Sequence, residues 1–413
     1  MNIIKINDTS NKLFYIGGVV RDELLGCESL DVDITYVGNA IEYCSKFGEV
    51  VQENPDFGTV RVVCHPEALA EGSQSDEILR FAQNDQTTVD FASTRSESYP
   101  KKGHLPVVKK IGCSLKEDVL RRDFTINALA KSVTTGEIVD YVGGLEDLKN
   151  KKLRVLHDES FIDDPTRIIR GLKFAVRFGF ELEEHTKKLQ DEYLANINYD
   201  MSYKRVKKEL IETFQPPYPS LCDTHSLKGT RGKSAFEKFI NQKIYKLVTP
   251  NDVEIPNVDV ESLVKKYCTP HPIPLPAGAR GEEKPPSYPA ALWLIYVGIL
   301  GDLSRLPLTK IEQKILDDVP KEVLKTDFEL YKTFENSRIE TVLLYAILRD
   351  EKGARHYLDD LRKVKLEING KDLQNLGIKP SPKYQEIFDE VLKTKLKNPS
   401  MTKKDEIGVA RLV

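Results

Sequence analysis

Three aspartates in apolar surroundings are the first residues able to do chemistry. Asp31 and Asp33 stand two apart in Leu30-Asp31-Val32-Asp33-Ile34. Residues two apart on a strand share a face, so both carboxylates point the same way. Such a pair repels unless a divalent cation neutralises it. By itself it reads equally as two solvated acids on an edge strand. Asp90, in Val89-Asp90-Phe91, adds a third acid with apolar neighbours on both sides. Three strand acids can hold two Mg2+ ions ~3.5–4 Å apart, the arrangement for in-line displacement at phosphorus.

Further polar clusters surround these acids in the chain. Gly17-Gly18 precedes Arg21-Asp22. A glycine pair after a strand lets backbone N–H groups approach phosphate oxygens, and Arg21 adds a planar charged fork one turn on. Arg121-Arg122-Asp123-Phe124-Thr125-Ile126-Asn127-Ala128 is the densest signal. Its arginines can clamp a triphosphate, and Asp123 can accept from ribose hydroxyls. Asn127 lies four residues on, on the same side if a helix starts here. Asp164, Arg167 and Arg170 are spaced by three, along one helix face. An Asp–Arg pair can match the Watson–Crick edge of a base, and Arg170 can reach a phosphate. Taken singly, the alternatives are a capped turn, a surface ion pair and an i, i+3 salt bridge worth under ~1 kcal/mol.

The elements that must position these groups follow from periodicity. Residues 12–16, 32–36, 60–63 and 89–92 are short alternating runs bounded by Gly, Asn and Pro, and read as strands. Residues 19–25 read as a helix. From about Asp163 the period becomes helical. Asp164 is the expected N-cap and Pro165 the first helical position. Ile169, Leu172 and Val176 form its apolar stripe. Further helices are expected at 204–214, 290–300, 339–349 and 384–397. The fold class is therefore α+β, a mixed α/β head followed by an all-helical body. Residues 64–88, 222–234 and 268–289 are rich in Pro, Gly, Ser and isolated charges. They read as loops or insertions outside the core.

Composition narrows the class. The chain has 413 residues, with Lys+Arg 61 against Asp+Glu 64 and a net charge of −3. That length suggests two or three domains at roughly 150 residues each. The balance is not that of a dedicated, strongly basic nucleic-acid binder. The longest apolar run, residues 290–300, is too short to span a bilayer, which takes about 20 residues. No membrane partner is expected. The first residues carry no basic start with an apolar core, so no secretory signal is expected. Six cysteines occur without a Cys-x-x-Cys pair. Neither a disulfide framework nor a zinc site is indicated, and the cytoplasm is the expected location. Gly229–Ser234 lacks the spacing of a phosphate loop.

Together, Gly-Gly-Val-Val-Arg-Asp, Asp-Val-Asp, Arg-Arg-Asp-Phe-Thr-Ile-Asn-Ala and Asp-Asp-Pro-Thr-Arg-Ile-Ile-Arg resemble the class II tRNA nucleotidyltransferases. These are CCA-adding enzymes, with bacterial poly(A) polymerases as close relatives. The likeness covers residues 11–214 and resumes at 368–380. It implies a head at 1–135 with an inserted loop at 64–88, a neck at 136–214, and a helical body and tail at 215–413. It implies that Asp31 and Asp33 ligate two Mg2+ ions, with Asp90 as third catalytic acid. Gly17, Gly18 and Arg21 would hold the triphosphate of CTP or ATP. Arg122 would contact the nucleotide and Asp123 the ribose, with Asn127 also among the nucleotide-binding residues. Asp164 and Arg167 would read the base, and Arg170 would support the nucleotide. The implied partner is the tRNA 3′ end, with its acceptor stem and elbow. Thr94–Asp118 matches a loop that some members use in switching from CTP to ATP.

The sequence departs from the family at two points. Asp163-Asp164 stands where Glu-Asp is usual, and Lys204 where an acid often follows Ser202. A poly(A) polymerase and a catalytically inactive RNA-binding homologue are the alternative functions. The Gly-Arg-basic-Phe run that flags polymerases is not visible around residues 52–63.

Overall fold

The computed structural model describes residues 6–27, 32–65, 68, 88–214, 231–254, 257–268 and 291–413. Asp31 and most of the three irregular stretches lie outside the described residues. The chain divides into two compact units, Met1–Asn251 and Asp252–Val413.

Eleven strands are described in the first unit: β1 Leu13–Ile16, β2 Asp33–Tyr36, β3 Gly48–Asn54, β4 Thr59–Cys64, β5 Thr88–Ser93, β6 Arg95–Ser98, β7 Val107–Ile111, β8 Ala130–Ser132 and β9 Ile138–Val139, with β10 Lys152–Leu153 and β11 Glu181–Leu182 as a small parallel pair. Seven of them form one mixed sheet in the order β3-β4-β5-β2-β1-β8-β9, and β6 and β7 form a separate hairpin. In β4 and β5 the alternation works as expected. Val60, Val62, Val89 and Phe91 are buried, while Arg61 and Asp90 lie on the open face. Phe47 stacks on Phe91 with ring centroids 5.7 Å apart and closes the buried side. β2 runs parallel to β5 with Asp33 opposite Asp90, and β4 runs antiparallel to β5 with Arg61 opposite Asp90. Directly opposed residues project to the same face. Asp33, Asp90 and Arg61 therefore form one row across three adjacent strands.

The helices of this unit are α1 Gly18–Leu24, α2 Ala40–Cys44, α3 Leu115–Leu120, α4 Gly144–Lys149, α5 Ser160–Asp163, α6 Thr166–Phe178, α7 Glu184–Ala195 and α8 Tyr203–Phe214, followed by Arg231–Asn241. α3 opens on a capping box, in which Ser114 and Glu117 satisfy each other's backbone N–H groups. α6 starts one residue later than expected, at Thr166. The N-cap is therefore Pro165 rather than Asp164, which sits one residue earlier and accepts from the Thr166 N–H at 3.1 Å. α6 is buried on more than its apolar stripe, because Thr166 and Arg167 are covered too. Phe174 of α6 meets Phe124 edge to face, with centroids 5.9 Å apart. Cys44, Cys64, Cys113 and Cys268 are free thiols.

The second unit is helical. Its centre is the helix Ile339–Leu348, buried from Glu340 through Ile347, as a helix apolar all round must be. Trp293, Phe334 and Tyr345 are its largest fully buried side chains. The expected helix at 290–300 is shorter, Trp293–Val297 followed by a 3-10 turn over Gly298–Leu300. A terminal cluster of Ile368, Leu373, Ile387, Val391 and Ala410 forms its own small core. Beside it the buried Glu406 accepts from the N–H groups of Glu367 and Ile368 and pairs with Lys395. No helix among the described residues is long and apolar enough to cross a membrane.

Candidate active site

The turn between β1 and α1 needs Gly17. Its φ is +74°, and a Cβ there would come 2.8 Å from Arg122 Nη1. Any side chain would face both left-handed backbone strain and a guanidinium in the same space. Arg122 leaves the end of α3 with Asp118 one turn behind it, Nη2 to Oδ2 at 3.3 Å. Burial pulls the Arg122 pKa below its ordinary value, and its buried Nε has no hydrogen-bond partner. Asp118 is fully buried. Burial by itself raises a carboxyl pKa. Arg122, Arg121 and the Arg95 N–H, 3.0 Å away, nevertheless hold this one low. Arg121 also reaches Glu97 at 3.2 Å.

Asp123 is buried next to this cluster. Its Oδ1 accepts from the Phe124 N–H at 2.8 Å and from Asn127 Nδ2 at 3.0 Å. Its Oδ2 faces Arg170 Nη2 at 2.7 Å. Here too burial works to raise the pKa, and the Arg170 charge with the two donors outweighs it and holds the carboxyl low. Asn127 passes the network on by accepting from Arg21 Nη1. The Arg21 guanidinium is held by Asp22 through Nε and Nη2 at 2.8 and 2.7 Å. It also stacks on Phe174 and Phe178, 5.1 and 4.7 Å from their ring centroids.

The start of α6 supplies the opposite wall. Asp164 does not pair with Arg167. Its Oδ1 accepts from Thr166, and its other oxygen pairs with Arg205 of α8. Arg167 instead donates to Ser160 Oγ at 2.6 Å, to the Arg121 carbonyl at 3.0 Å and to the Tyr99 hydroxyl at 3.3 Å. The i, i+3 surface salt bridge that spacing allowed is thus absent, and both residues are buried. The connection between β6 and β7 docks here. Lys102 pairs with Glu159 at 2.7 Å and with Asp163 at 2.5 Å. Gly103 bonds by its N–H to the Asp163 carbonyl and by its carbonyl to the Ser202 N–H, both at 3.0 Å.

These groups surround one cleft of about 460 Å3. Gly17, Gly18, Arg21, Asp33, Arg122, Asp123, Asn127, Asp164, Arg167 and Arg170 all line it. Every nucleotide-binding residue expected from sequence is therefore brought together, with Asp33 at the edge. Seven arginines line the cleft against four carboxylates, a surplus suited to a polyanion. Asp90 lies outside this cleft, in a second one of about 400 Å3 that shares Asp33 with it. Both Asp90 oxygens are taken by Arg61, at 2.7 and 2.8 Å. The two side chains remain half exposed, 55% for Asp90 and 48% for Arg61. As a donor set, Asp33 and Asp90 offer hard carboxylate oxygens on one face, which suits Mg2+. No group of three metal-binding side chains occurs among the described residues.

Sequence reasoning missed Arg61, Asp118, Tyr99 and Arg205. Asp118 had a signal, its i, i+4 spacing to Arg122. Arg205 follows Lys204, which stood out only as a departure.

A glycine-turned, arginine-rich cleft at the edge of a small mixed sheet defines a nucleotidyltransferase-type head. Residues 13–154 match the poly A polymerase head domain. An A-adding tRNA nucleotidyltransferase of Geobacter sulfurreducens is 30% identical over 436 residues, covering 96% of this chain and 44% of that protein. One of Halalkalibacterium halodurans is 28% identical, covering 97% of this chain and 88% of that protein. The solved Thermotoga maritima CCA-adding enzyme complexed with tRNA superposes with a TM-score of 0.64 at 22% identity, over 97% of this chain and 91% of that one. Residues 13–154 thus carry a head of the poly A polymerase type, and over nearly its whole length the chain is similar to A-adding and CCA-adding tRNA nucleotidyltransferases. It spans less than half the length of the Geobacter relative and 20% of an Aquifex aeolicus relative.

Proposed function

We propose that this protein adds nucleotides to tRNA 3′ ends from CTP and ATP, without a nucleic-acid template. The acceptor 3′-hydroxyl attacks the α-phosphorus. A new P–O bond forms, the bond to the β-phosphate bridging oxygen breaks, the hydroxyl proton leaves and pyrophosphate departs. The supporting observation is the single cleft that gathers all nine expected nucleotide-binding residues beside Asp33.

The chain's own groups divide the work. Gly17, Gly18 and Arg122 line the place for the triphosphate. Arg21 acts through Asn127, which positions Asp123. Asp123 faces the ribose with Arg170 as its counter-charge. Asp164 and Arg167 present fixed acceptors and donors to the base edge, and Arg205 and Ser160 hold them. Asp31 and Asp33 are the proposed ligands of two Mg2+ ions, with Asp90 beside them. When bound, the metal supplies electrostatic stabilisation of the displacement. The protein's share is positioning and preorganised charge. The proposed location is the cytoplasm.

A narrower activity, addition of the terminal A alone, is favoured by the Geobacter and Halalkalibacterium relatives named as A-adding. The deciding experiment supplies Mg2+, CTP and ATP, singly and together. The acceptors are tRNAs ending before the first C, before the second C and before the terminal A. Completion of all three supports full CCA addition, and extension of the last alone supports A addition. Long A-tails on unrelated RNA would turn the reading to a poly(A) polymerase. RNA binding without incorporation would turn it to an inactive homologue.

A further inference from the structure

We infer that the second cleft, lined by Gln52, Asn54, Thr59 and Arg61, seats the 3′-terminal nucleoside of the RNA acceptor. The inference rests on the nucleotidyl-transfer reading. In-line displacement needs the attacking and leaving oxygens on opposite sides of phosphorus. The first cleft holds the residues that suit the triphosphate and base. Asp33, Arg95, Arg121 and Arg122 line both clefts, so the two meet at the acid where transfer would occur. An acceptor entering from the far side of Asp33 reaches the second cleft.

That cleft is chemically suited to a nucleoside. Its volume of about 400 Å3 falls in the range of small-molecule sites. Gln52 and Asn54 sit on β3, the edge strand of the sheet, and are exposed. Neither side chain has a hydrogen-bond partner among the described residues. Each amide offers two donors and an acceptor, which suits a ribose 2′-hydroxyl and a base edge. Arg61 answers the charge problem. It occupies both oxygens of Asp90, so an incoming phosphodiester meets a half-exposed guanidinium rather than a bare carboxylate.

Two measurements test this on the full chain. The first takes the double variant Gln52→Ala/Asn54→Ala and measures KM for the acceptor RNA and for the nucleoside triphosphate separately. Loss of two hydrogen bonds predicts an acceptor KM raised about tenfold with the triphosphate KM unchanged. The second uses an acceptor RNA carrying a photoreactive thiolated nucleoside at its 3′ end. Its crosslinks are expected within residues 52–61. An unchanged acceptor KM, or crosslinks confined to other segments, overturns the inference. Absence of incorporation by the wild-type chain counts against the proposed function instead, and the crosslink still reports where the RNA end sits.

Discussion

Asp33 and Asp90 stand exposed on the open face of the sheet. Asp118, Asp123 and Asp164, by contrast, are buried, and each is tied to at least one arginine. The same side chain is thus left accessible in one place and fully committed in the other. Accessibility suits a group that must take up and release a cation. Commitment suits a group that must present a fixed pattern, since a buried carboxylate keeps its orientation only when its lone pairs are satisfied. The exposed acids should therefore matter to chemistry and little to stability. The buried acids should matter to both.

The largest effect should come from Asp33→Ala. Losing a proposed metal ligand should lower incorporation about a thousandfold or more, with the thermal midpoint nearly unchanged. Substantial residual activity in a radiolabel assay would refute the assignment of Asp33. Next is Asp118→Asn, which leaves Arg121 and Arg122 without their buried counter-charge. It should cost about 3 kcal/mol in urea unfolding. Asp90→Asn, in an exposed pair, should leave the same curve where it was. Equal losses for the two would erase the contrast between the exposed and buried acids.

Acid should expose the difference as well. Asp118 and Asp123 are both held below the ordinary carboxylate range. Their contribution is complete above about pH 4 and is lost as pH falls through their folded values. Asp118→Asn should flatten that part of the stability profile, and an unaltered profile would count against the coupling. A smaller loss than that of Asp118→Asn is expected of Gly17→Ala. The left-handed backbone should cost about 1–2 kcal/mol. Displacement of Arg122 should raise the triphosphate KM without a matching change for the acceptor.

Alternation made β4 and β5 legible, and with them the open-face placement of Asp90. It could not reveal Arg61 as its partner, because the pairing depends on which strands become neighbours. The spacing put Asp164, Arg167 and Arg170 along one helix face; α6 carries Arg167 and Arg170, while Asp164 lies two residues before its start. Their partners were misjudged, since local spacing offers only local neighbours. The real ones, Arg205, Ser160 with Tyr99, and Asp123, come from other segments. In the second unit, Ile339–Leu348 and Lys383–Lys397 were readable from apolar content. The shorter Trp293–Val297 was over-extended because its continuous apolar run hides where the helix tightens.

The ladder between β4 and β5 also separates length from position. Val63 opposes Thr88, and two rungs further on Arg61 opposes Asp90. The β4–β5 ladder is therefore anchored at its Val63–Thr88 rung. A longer connection between two paired strands costs only about 0.6 kcal/mol more for each doubling of its length. Asp90 keeps its place because the rungs fix it, whatever number of residues precedes it.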